Sequence, residues 1–362
     1  MAAGCTDHEP APSEKAYPQE SQPAEQPTSP TTEQSTPVSS VEQTTPTTAQ
    51  NTGTLSGQNL TVHFLDVGQG DSILIEYENK SMLIDAGESD KGKVVSDYLH
   101  DQGISTLDYV VATHPHSDHI GGMIDVLNNF KIKNFIDSGY PHTSKTYEKM
   151  LTTIDKKNIP FETPKRGDNI NFASGIDVEV LNPGTTYYSD DLNQNSVVLK
   201  VTDGKVSFLL MGDAGIEAEN DIMKAGYDVN ADVLKVGHHG SRTSSGASFI
   251  SAVSPSISVI EVGAGNDYGH PHAENLKRLQ KVSKVYRTDL DGTITVTTDG
   301  STYTVTTQKT EPSEVRPVST GSSTASSITE ESQSKENTMS SSGESSVYVS
   351  DLDLQDEWVK IS

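Results

Sequence analysis

Residues 113–122 read Thr-His-Pro-His-Ser-Asp-His-Ile-Gly-Gly, placing three histidines and an aspartate within six positions. Imidazole and carboxylate together suit a first-row divalent ion. His114 and His116 are two apart, so in extended backbone their side chains fall on one side of the chain. Asp118 and His119 are adjacent, so a turning loop can direct one toward each of two ions. Four ligands on so short a loop exceed what one tetrahedral site usually takes from a single segment. The stretch therefore reads as ligands for a pair of metals rather than as a polar surface loop. The apolar run 107–112 leads straight into it and a Gly-Gly pair follows, the pattern of a buried strand ending in a ligand-bearing loop.

Outward from this loop the chain alternates strands and helices. Short strands are expected at 62–66, 72–77 and 81–85, with a helix at 93–102 stopped by Gly103. The strand 107–112, a helix at 122–130 and a strand at 134–137 follow. The second half repeats the grammar: strands at 178–181, 197–202 and 206–211, then a helix at 217–225. Next come a strand at 232–236, a helix at 248–253, a strand at 257–261, a helix at 273–281 and closing strands at 293–297 and 302–306. Hairpins followed by helices in each half predict an α/β fold of two packed sheets with helices outside, an αββα four-layer sandwich.

Polar residues recur where these strands end: Asp85-Ala86-Gly87, the histidine loop, Met211-Gly212-Asp213-Ala214, Val236-Gly237-His238-His239-Gly240-Ser241 and Gly269-His270-Pro271-His272. Seven of the eleven histidines fall in just three of these loops. Loops on one edge of a rigid scaffold are where binding and catalytic groups collect.

Composition bounds the rest of the chain. Of 362 residues, 32% are hydrophobic and the formal net charge is −25. Residues 1–57 are rich in Pro, Ser, Thr, Gln and Glu, and 309–345 are similar. Such segments cannot bury enough surface to offset the entropy of ordering and read as a disordered tether and a disordered linker. Between them, 58–308 is long enough for a sizeable core. The acid excess is shared about equally between that region and the tails, so neither is a general polyanion-binding surface. Any nucleic-acid reading rests on a local site and its metals.

The single cysteine, Cys5, excludes an intramolecular disulfide and a thiolate-rich metal site. Its context, Ala2-Ala3-Gly4-Cys5, resembles the end of a bacterial lipoprotein signal peptide, where small residues precede a lipidated cysteine. The charged and apolar parts of such a signal are missing, so the start is expected to fall inside it; an arbitrary cysteine near a polar terminus is the alternative. This reading puts the protein outside the cell or on its surface, touching the membrane only through a lipid anchor. No apolar run approaches the roughly 18 residues of a membrane span. Residues 346–362 alternate apolar and polar side chains. Within them Glu357-Trp358-Val359-Lys360-Ile361 resembles the opening strand of a lamin-tail domain, a small β-sandwich of which only the first strands would be present. A lone amphipathic terminus is the alternative. No protein partner is implied.

HPHSDH at 114–119 matches the HxHxDH signature of the metallo-β-lactamase superfamily, and Gly212-Asp213 matches its later metal-bridging aspartate. The chain resembles most closely the hydrolase domain of the ComEC family of DNA-uptake proteins. The carrying segments are FLDVGQGDSILIE at 64–76, IDAG at 84–87, THPHSDHIGG at 113–122, NSVVLKV at 195–201, LLMGDA at 209–214, LKVGHHGSRTSS at 234–245 and YGHPH at 268–272. They cover essentially all of 58–308 in the family's order.

The resemblance implies a metal-dependent hydrolase with two divalent ions, zinc or manganese. His114 and His116 would bind the first ion, Asp118 and His119 the second, and Asp213 would bridge them. His238 would be the late ligand, with His239 as the alternative. Many relatives have another histidine before the bridging aspartate, where this chain has Asn193-Gln194-Asn195-Ser196. The first site is then completed by Asn195, by water, or not fully, and its oxygen donors make manganese a competitor to zinc. Such a centre activates water and clamps a phosphoryl or acyl oxygen. Asp118 would orient the nucleophile, and His270 or His272 would protonate the leaving group or bind substrate. Asp85 would hydrogen-bond a ligand histidine or cap a turn. Lys235, Ser241 and Arg242 would contact a phosphate, as would Asn195; a helix N-cap is the other reading of the serine. The expected function is hydrolysis of phosphodiesters, with single-stranded DNA as the favoured substrate. Two alternatives stand beside it: an esterase, lactonase or small-molecule phosphodiesterase on the same centre, and a non-catalytic surface binding protein, against which the intact ligand set argues.

Overall fold

The computed structural model describes residues 59–309 and the backbone of 316–317. The expected tether 1–57 with Cys5, all but a few residues of the expected linker 309–345, and the lamin-tail-like segment 346–362 lie outside the described residues.

The first half runs β1 (Leu60–Phe64), β2 (Ile73–Tyr77), β3 (Lys80–Ile84), α1 (Gly92–Asp101), β4 (Thr106–Ala112), the short α2 (Ser117–Ile120), α3 (Met123–Asn129), β5 (Lys131–Asp137), α4 (Lys145–Lys156) and β6 (Phe161–Glu162). The second runs β7 (Ile176–Asn182), β8 (Val198–Asp203), β9 (Val206–Leu210), α5 (Ile216–Lys224), β10 (Val233–Lys235), α6 (Ala247–Val253), β11 (Ile257–Ile260), α7 (Ala273–Leu279) and β12 (Lys284–Arg287). The turn α8 (Thr288–Asp291) leads to β13 (Ile294–Thr298), β14 (Thr302–Thr307) and the edge strand β15 (Arg316–Pro317). The strands form a nine-stranded sheet in the order β15-β14-β13-β1-β2-β3-β4-β5-β6 and a six-stranded sheet in the order β12-β11-β10-β9-β8-β7.

The two-residue period of a strand sorts the core. Ile73 and Ile75 of β2 face a cluster shared with Phe208 and Leu210 of the other sheet, while Leu74 between them packs with Val95 and Leu99 of α1. In β9 the same alternation sends Leu209 outward to Ala218 and Ile222 of α5. One apolar layer therefore lies between the sheets and one lies beneath the helices on each outer face. This is the four-layer αββα arrangement.

Two elements depart from the expected pattern. The helix expected at 122–130 is α3, and a short extra helix, α2, precedes it within the histidine loop. Their junction carries Gly121 and Gly122, where an added Cβ would lie 2.4 Å from Ser89 N and 2.2 Å from Ala86 O. Only glycine lets this corner pack against the loop after β3. Helix α4 is not among the expected elements, although Tyr147, Met150, Leu151 and Ile154 recur at helical spacing; it buries Tyr147, Met150 and Ile154 along one face, and the Ser144 hydroxyl caps it by accepting from Tyr147 N.

β3, β4 and β5 are mutually parallel, as are β9, β10, β11 and β12. Parallel strands put their C-terminal ends on one edge, so the loops after β3, β4, β9, β10 and β11 gather there. Among the described residues no helix is long and apolar enough to cross a membrane.

Candidate metal centre

The buried strand β4 delivers Thr113 and His114 to that edge, and α2 turns Asp118 and His119 inward. His119 is fully buried. Its Nδ1 donates to Asp85 Oδ2 at 2.7 Å, so its Nε2 is the free lone-pair nitrogen. That Nε2 has no hydrogen-bond partner and lies 3.3 Å from Asp213 Oδ2 and 3.8 Å from Asp118 Oδ2. Asp85 is itself held by Thr113, whose N–H donates at 2.9 Å and whose hydroxyl donates at 2.6 Å. A ring pinned by a carboxylate on one nitrogen and open on the other is the geometry of a metal-ligating histidine.

His239 repeats the device from the other sheet. Its Nδ1 donates to the Glu261 carbonyl at 2.9 Å and lies 3.3 Å from Asp71 Oδ1. Its Nε2 faces Asp118 Oδ2 at 3.2 Å and Asp213 Oδ2 at 3.6 Å. Asp118, His119, Asp213 and His239 each offer a ligand atom within 4.8 Å of the others. The expected assignment of His238 as the late ligand here is corrected: His239 takes that place. Both residues adopt left-handed backbone, with φ of 49° and 50°. This conformation is uncommon for non-glycine residues and splays the two adjacent rings apart. His238 Nδ1 contacts Thr243 Oγ1 at 3.1 Å, and its Nε2 lies 3.8 Å from Asp213 Oδ2.

On the other side of Asp213, His114 Nε2 and His116 Nδ1 are 2.9 Å apart, and His114 Nε2 is 3.8 Å from Asp213 Oδ2. His114 Nδ1 sits 3.1 Å from Thr113 Oγ1 and 3.3 Å from Ser196 Oγ. Asp213 thus stands between two groups of donors.

The electrostatics fit cations. Burial opposes charge on His119, yet Asp213, Asp118 and Asp85 hold its proton well above the ordinary range. His239 is likewise pushed up to about 10 by Asp213, Asp118 and Asp71, against the effect of burial. Burial would raise Asp213, but His239, His119 and His238 hold it well below the usual carboxylate range. Protons bound this tightly by a carboxylate cluster mark where divalent ions would displace them. The buried atoms His119 Nε2, Asp213 Oδ1 and Asn193 Oδ1 have no hydrogen-bond partner. The donor set and these orphaned atoms fit a pair of divalent ions.

Behind the centre lies a buried ion cluster that the sequence reading did not single out. Lys235 Nζ is 2.7 Å from Asp71 Oδ2 and 3.9 Å from Glu261 Oε2, and all three side chains are buried. Strand parity explains this: Lys235 and Glu261 lie two residues beyond Val233 and Val259, which face the inter-sheet core. Gly70 brings Asp71 into place, since a Cβ there would meet Asp118 O at 2.2 Å. The available signal was a lysine and a glutamate inside the largely apolar runs 233–236 and 257–262.

Several expected contacts are corrected. Lys235 does not reach the cleft, because its ammonium is buried against Asp71. Asn195 is fully buried, and its amide is consumed by Tyr188 N, Tyr188 O and Asp191 O at 2.9, 2.8 and 2.7 Å. It therefore offers nothing to a metal or a phosphate; Asn193, two residues earlier, lines the cleft instead. Ser241 accepts from Thr243 N–H in a local turn, and Arg242 points outward toward Glu274, 3.9 Å away. His272 Nδ1 accepts from Arg242 N–H at 3.1 Å and so shapes the loop. His270 does line the cleft. Burial, then His239 and His238, lower it to about 4, so at neutral pH it is a neutral ring rather than a ready proton donor.

Gln69, Asn193, Tyr268 and His270 join the ligands around a cleft of about 510 Å³. Tyr268 is 60% exposed and stacks on His270, with ring centroids 5.6 Å apart and 23° between the planes.

The chain is 35% identical over 253 residues to ComE operon protein 3 of Bacillus subtilis, a match covering 64% of this chain and 32% of that protein. It is 32% identical over 248 residues to Recombination protein 2 of Haemophilus influenzae, covering 67% of this chain and 29% of that one. The chain thus spans about a third of the length of these curated relatives. Among solved structures, the metallo-beta-lactamase fold protein YhfI from Bacillus subtilis overlays with a TM-score of 0.44 at 14% identity, covering 63% of this chain and 96% of that one. The family profile of the metallo-beta-lactamase superfamily matches residues 65–263, more than half of the chain. With its strand-end histidines and aspartates arranged around Asp213, the chain belongs to the metallo-β-lactamase superfamily.

Proposed function

We propose that this protein hydrolyses phosphodiester bonds in single-stranded nucleic acid, DNA above all, outside the cytoplasm, held at the membrane through a lipid on Cys5. The observation that carries the reading is the double donor set around Asp213, with His114 and His116 on one side and Asp118, His119 and His239 on the other. When bound there, two divalent ions supply a nucleophile at neutral pH and stabilise the charge that develops on a phosphoryl oxygen. The chain's own groups do the rest. Asp85 and the Glu261 carbonyl fix the ring orientations of His119 and His239. Asp118, at the mouth, is held well below the usual carboxylate range by His119 and His239 despite burial, so it stays an acceptor able to orient a water. The exposed face of Tyr268 beside these groups suits a nucleobase, since every base has a π-face and stacking is tolerant of sequence. The name of one relative, Recombination protein 2, supports nucleic acid as the substrate class. Acidic bulk charge argues against tight, processive binding.

The test is a substrate panel with the purified protein loaded with Mn²⁺ or Zn²⁺: labelled single-stranded DNA, duplex DNA, bis-p-nitrophenyl phosphate and simple esters. Cleavage of single-stranded DNA that disappears in Asp118→Ala, without loss of the thermal transition, supports the proposal. Hydrolysis confined to esters or small phosphodiesters transfers the centre to a small substrate.

A further inference from the structure

Two imidazoles and a shared carboxylate, His114, His116 and Asp213, leave the first ion one ligand short of a four-coordinate protein site. We infer that the side-chain oxygen of Asn193 fills that position, making the first site an oxygen-rich one. The inference rests on the metal centre alone, whatever the substrate.

Asn193 opens a single 3₁₀ turn, Asn193–Asn195, and the two residues after it are fully engaged in building that turn. Gln194 Oε1 accepts from Gly215 N and Ala218 N at 3.2 and 3.0 Å, pinning the turn to the start of α5. The Asn195 amide is tied to residues 188 and 191. From beneath, Asn182 Nδ2 donates to Gln194 O and Ser196 O at 2.9 and 2.8 Å. The loop is therefore held from several sides, and Asn193 alone of the three projects into the cleft, beside His116, Asp213 and His238. Its Nδ2 makes only a long contact, 3.5 Å, to His238 Nε2. Its Oδ1 is shielded from solvent and lies beside the His116 ring, with no partner in good hydrogen-bond geometry. A buried carbonyl oxygen left in this state is unfavourable, and the anchored loop cannot turn it out to water. A cation beside His116 removes that cost.

His238 is the competing donor. Its ring is partly exposed and its Nε2 is 3.8 Å from Asp213 Oδ2, so it reaches the same carboxylate from the rim. The two assignments differ chemically. With Asn193 the first ion has two nitrogen and two oxygen ligands, a set that moves preference from zinc toward manganese, whereas a third imidazole does the reverse.

Metal content settles the matter without reference to activity. The full chain is dialysed against fixed free Mn²⁺ or Zn²⁺ and measured by elemental mass spectrometry, with the Mn²⁺ electron paramagnetic resonance spectrum reporting coupled ions. Wild type is expected to hold two ions, while Asn193→Ala and the near-isosteric Asn193→Leu hold one at the same free metal. Asn193→Asp, which keeps an oxygen in place, is expected to retain both. Asn193→His is expected to retain both while favouring Zn²⁺ over Mn²⁺ by at least about tenfold relative to wild type. Wild-type affinity for both ions in Asn193→Ala and Asn193→Leu overturns the inference, as does loss of the first ion from His238→Ala with Asn193→Ala unaffected. A wild-type protein that takes up no ion at all removes the metal centre itself, and the proposed function with it.

Discussion

Replacing Lys235 by methionine tests the buried cluster that supports the second half of the metal centre. Lys235 is fully buried, and its Nζ is the cation 2.7 Å from Asp71 Oδ2. Methionine fills similar volume but strips the buried Asp71 carboxylate of its closest cation, with Glu261 close behind. Removing one partner of a buried pair typically costs about 3–5 kcal/mol, a large share of the roughly 5–15 kcal/mol that stabilises a domain. For a folded region of this size that corresponds to a fall in Tm of roughly 6–20 °C. The loss depends on pH. Burial raises the Asp71 pKa and Lys235 is the chief group lowering it, so without Lys235 the folded-state pKa moves upward. The deficit is then small in acid and grows as pH rises through the new folded value. Asp71→Asn in the Lys235→Met background removes the stranded charge and is expected to recover at least half of the loss. The assay is urea unfolding of chelator-treated protein, so that metal affinity does not enter. A Lys235→Met variant within about 1 kcal/mol of wild type, the worth of an exposed pair, or a double variant no more stable than the single one, refutes the reasoning.

Asp85→Asn takes the charged acceptor from His119 Nδ1; metal affinity at the second site is expected to fall about 10–100-fold by competition with a chromogenic chelator, and an unchanged affinity counts against the orienting role. Tyr268→Ala is expected to raise KM for a single-stranded oligonucleotide about 5–150-fold, from 1–3 kcal/mol per stacked base, with kcat little changed and Tyr268→Phe close to wild type. An abasic oligonucleotide should not feel the change; equal effects on both substrates dismiss stacking. Glu219 is buried beside the loop before α6 and is pushed up to about 7 by burial, even though it accepts from Ser245 N and Gly246 N at 2.5 and 2.8 Å. Between the unfolded value near 4.3 and 7 the folded chain keeps a proton the unfolded chain has released, so stability falls as pH rises through that window, by up to about 1.4 kcal/mol per pH unit. Glu219→Gln should flatten this slope, and parallel stability–pH curves for the two proteins would contradict it.

The site was largely readable where its chemistry is written in consecutive residues. HPHSDH carries four donors on one loop, and local backbone geometry alone sets how His114 and His116 share a side. The αββα layering was likewise readable, because alternation in stretches such as 73–75 and 208–210 states which residues face which layer. What escaped the reading depends on parity and on distant partners. Lys235 looked like a phosphate contact because it stands near two histidines, but the strand's period of two turns it into the inter-sheet core. His238 and His239 are identical neighbours in sequence; the left-handed backbone at both decides which ring meets Asp118. Asn195 and Asn193 share one side-chain chemistry, and only the turn that consumes the first leaves the second facing the cleft. Helix α4 was legible in the helical spacing of Tyr147, Met150, Leu151 and Ile154 and was not read.

The sequence by itself therefore determined the family, the class of ligand and the strand ends that carry the donors, because those properties reside in short segments whose spacing is local. Only the tertiary structure decided which of two adjacent histidines closes the second site, why Asp71, Lys235 and Glu261 are buried together behind it, and which asparagine points an unpartnered oxygen at the first. These are outcomes of two sheets from distant parts of the chain meeting at one edge. The energy of a buried charge or an unpaired carbonyl depends on what the other sheet places a few ångströms away.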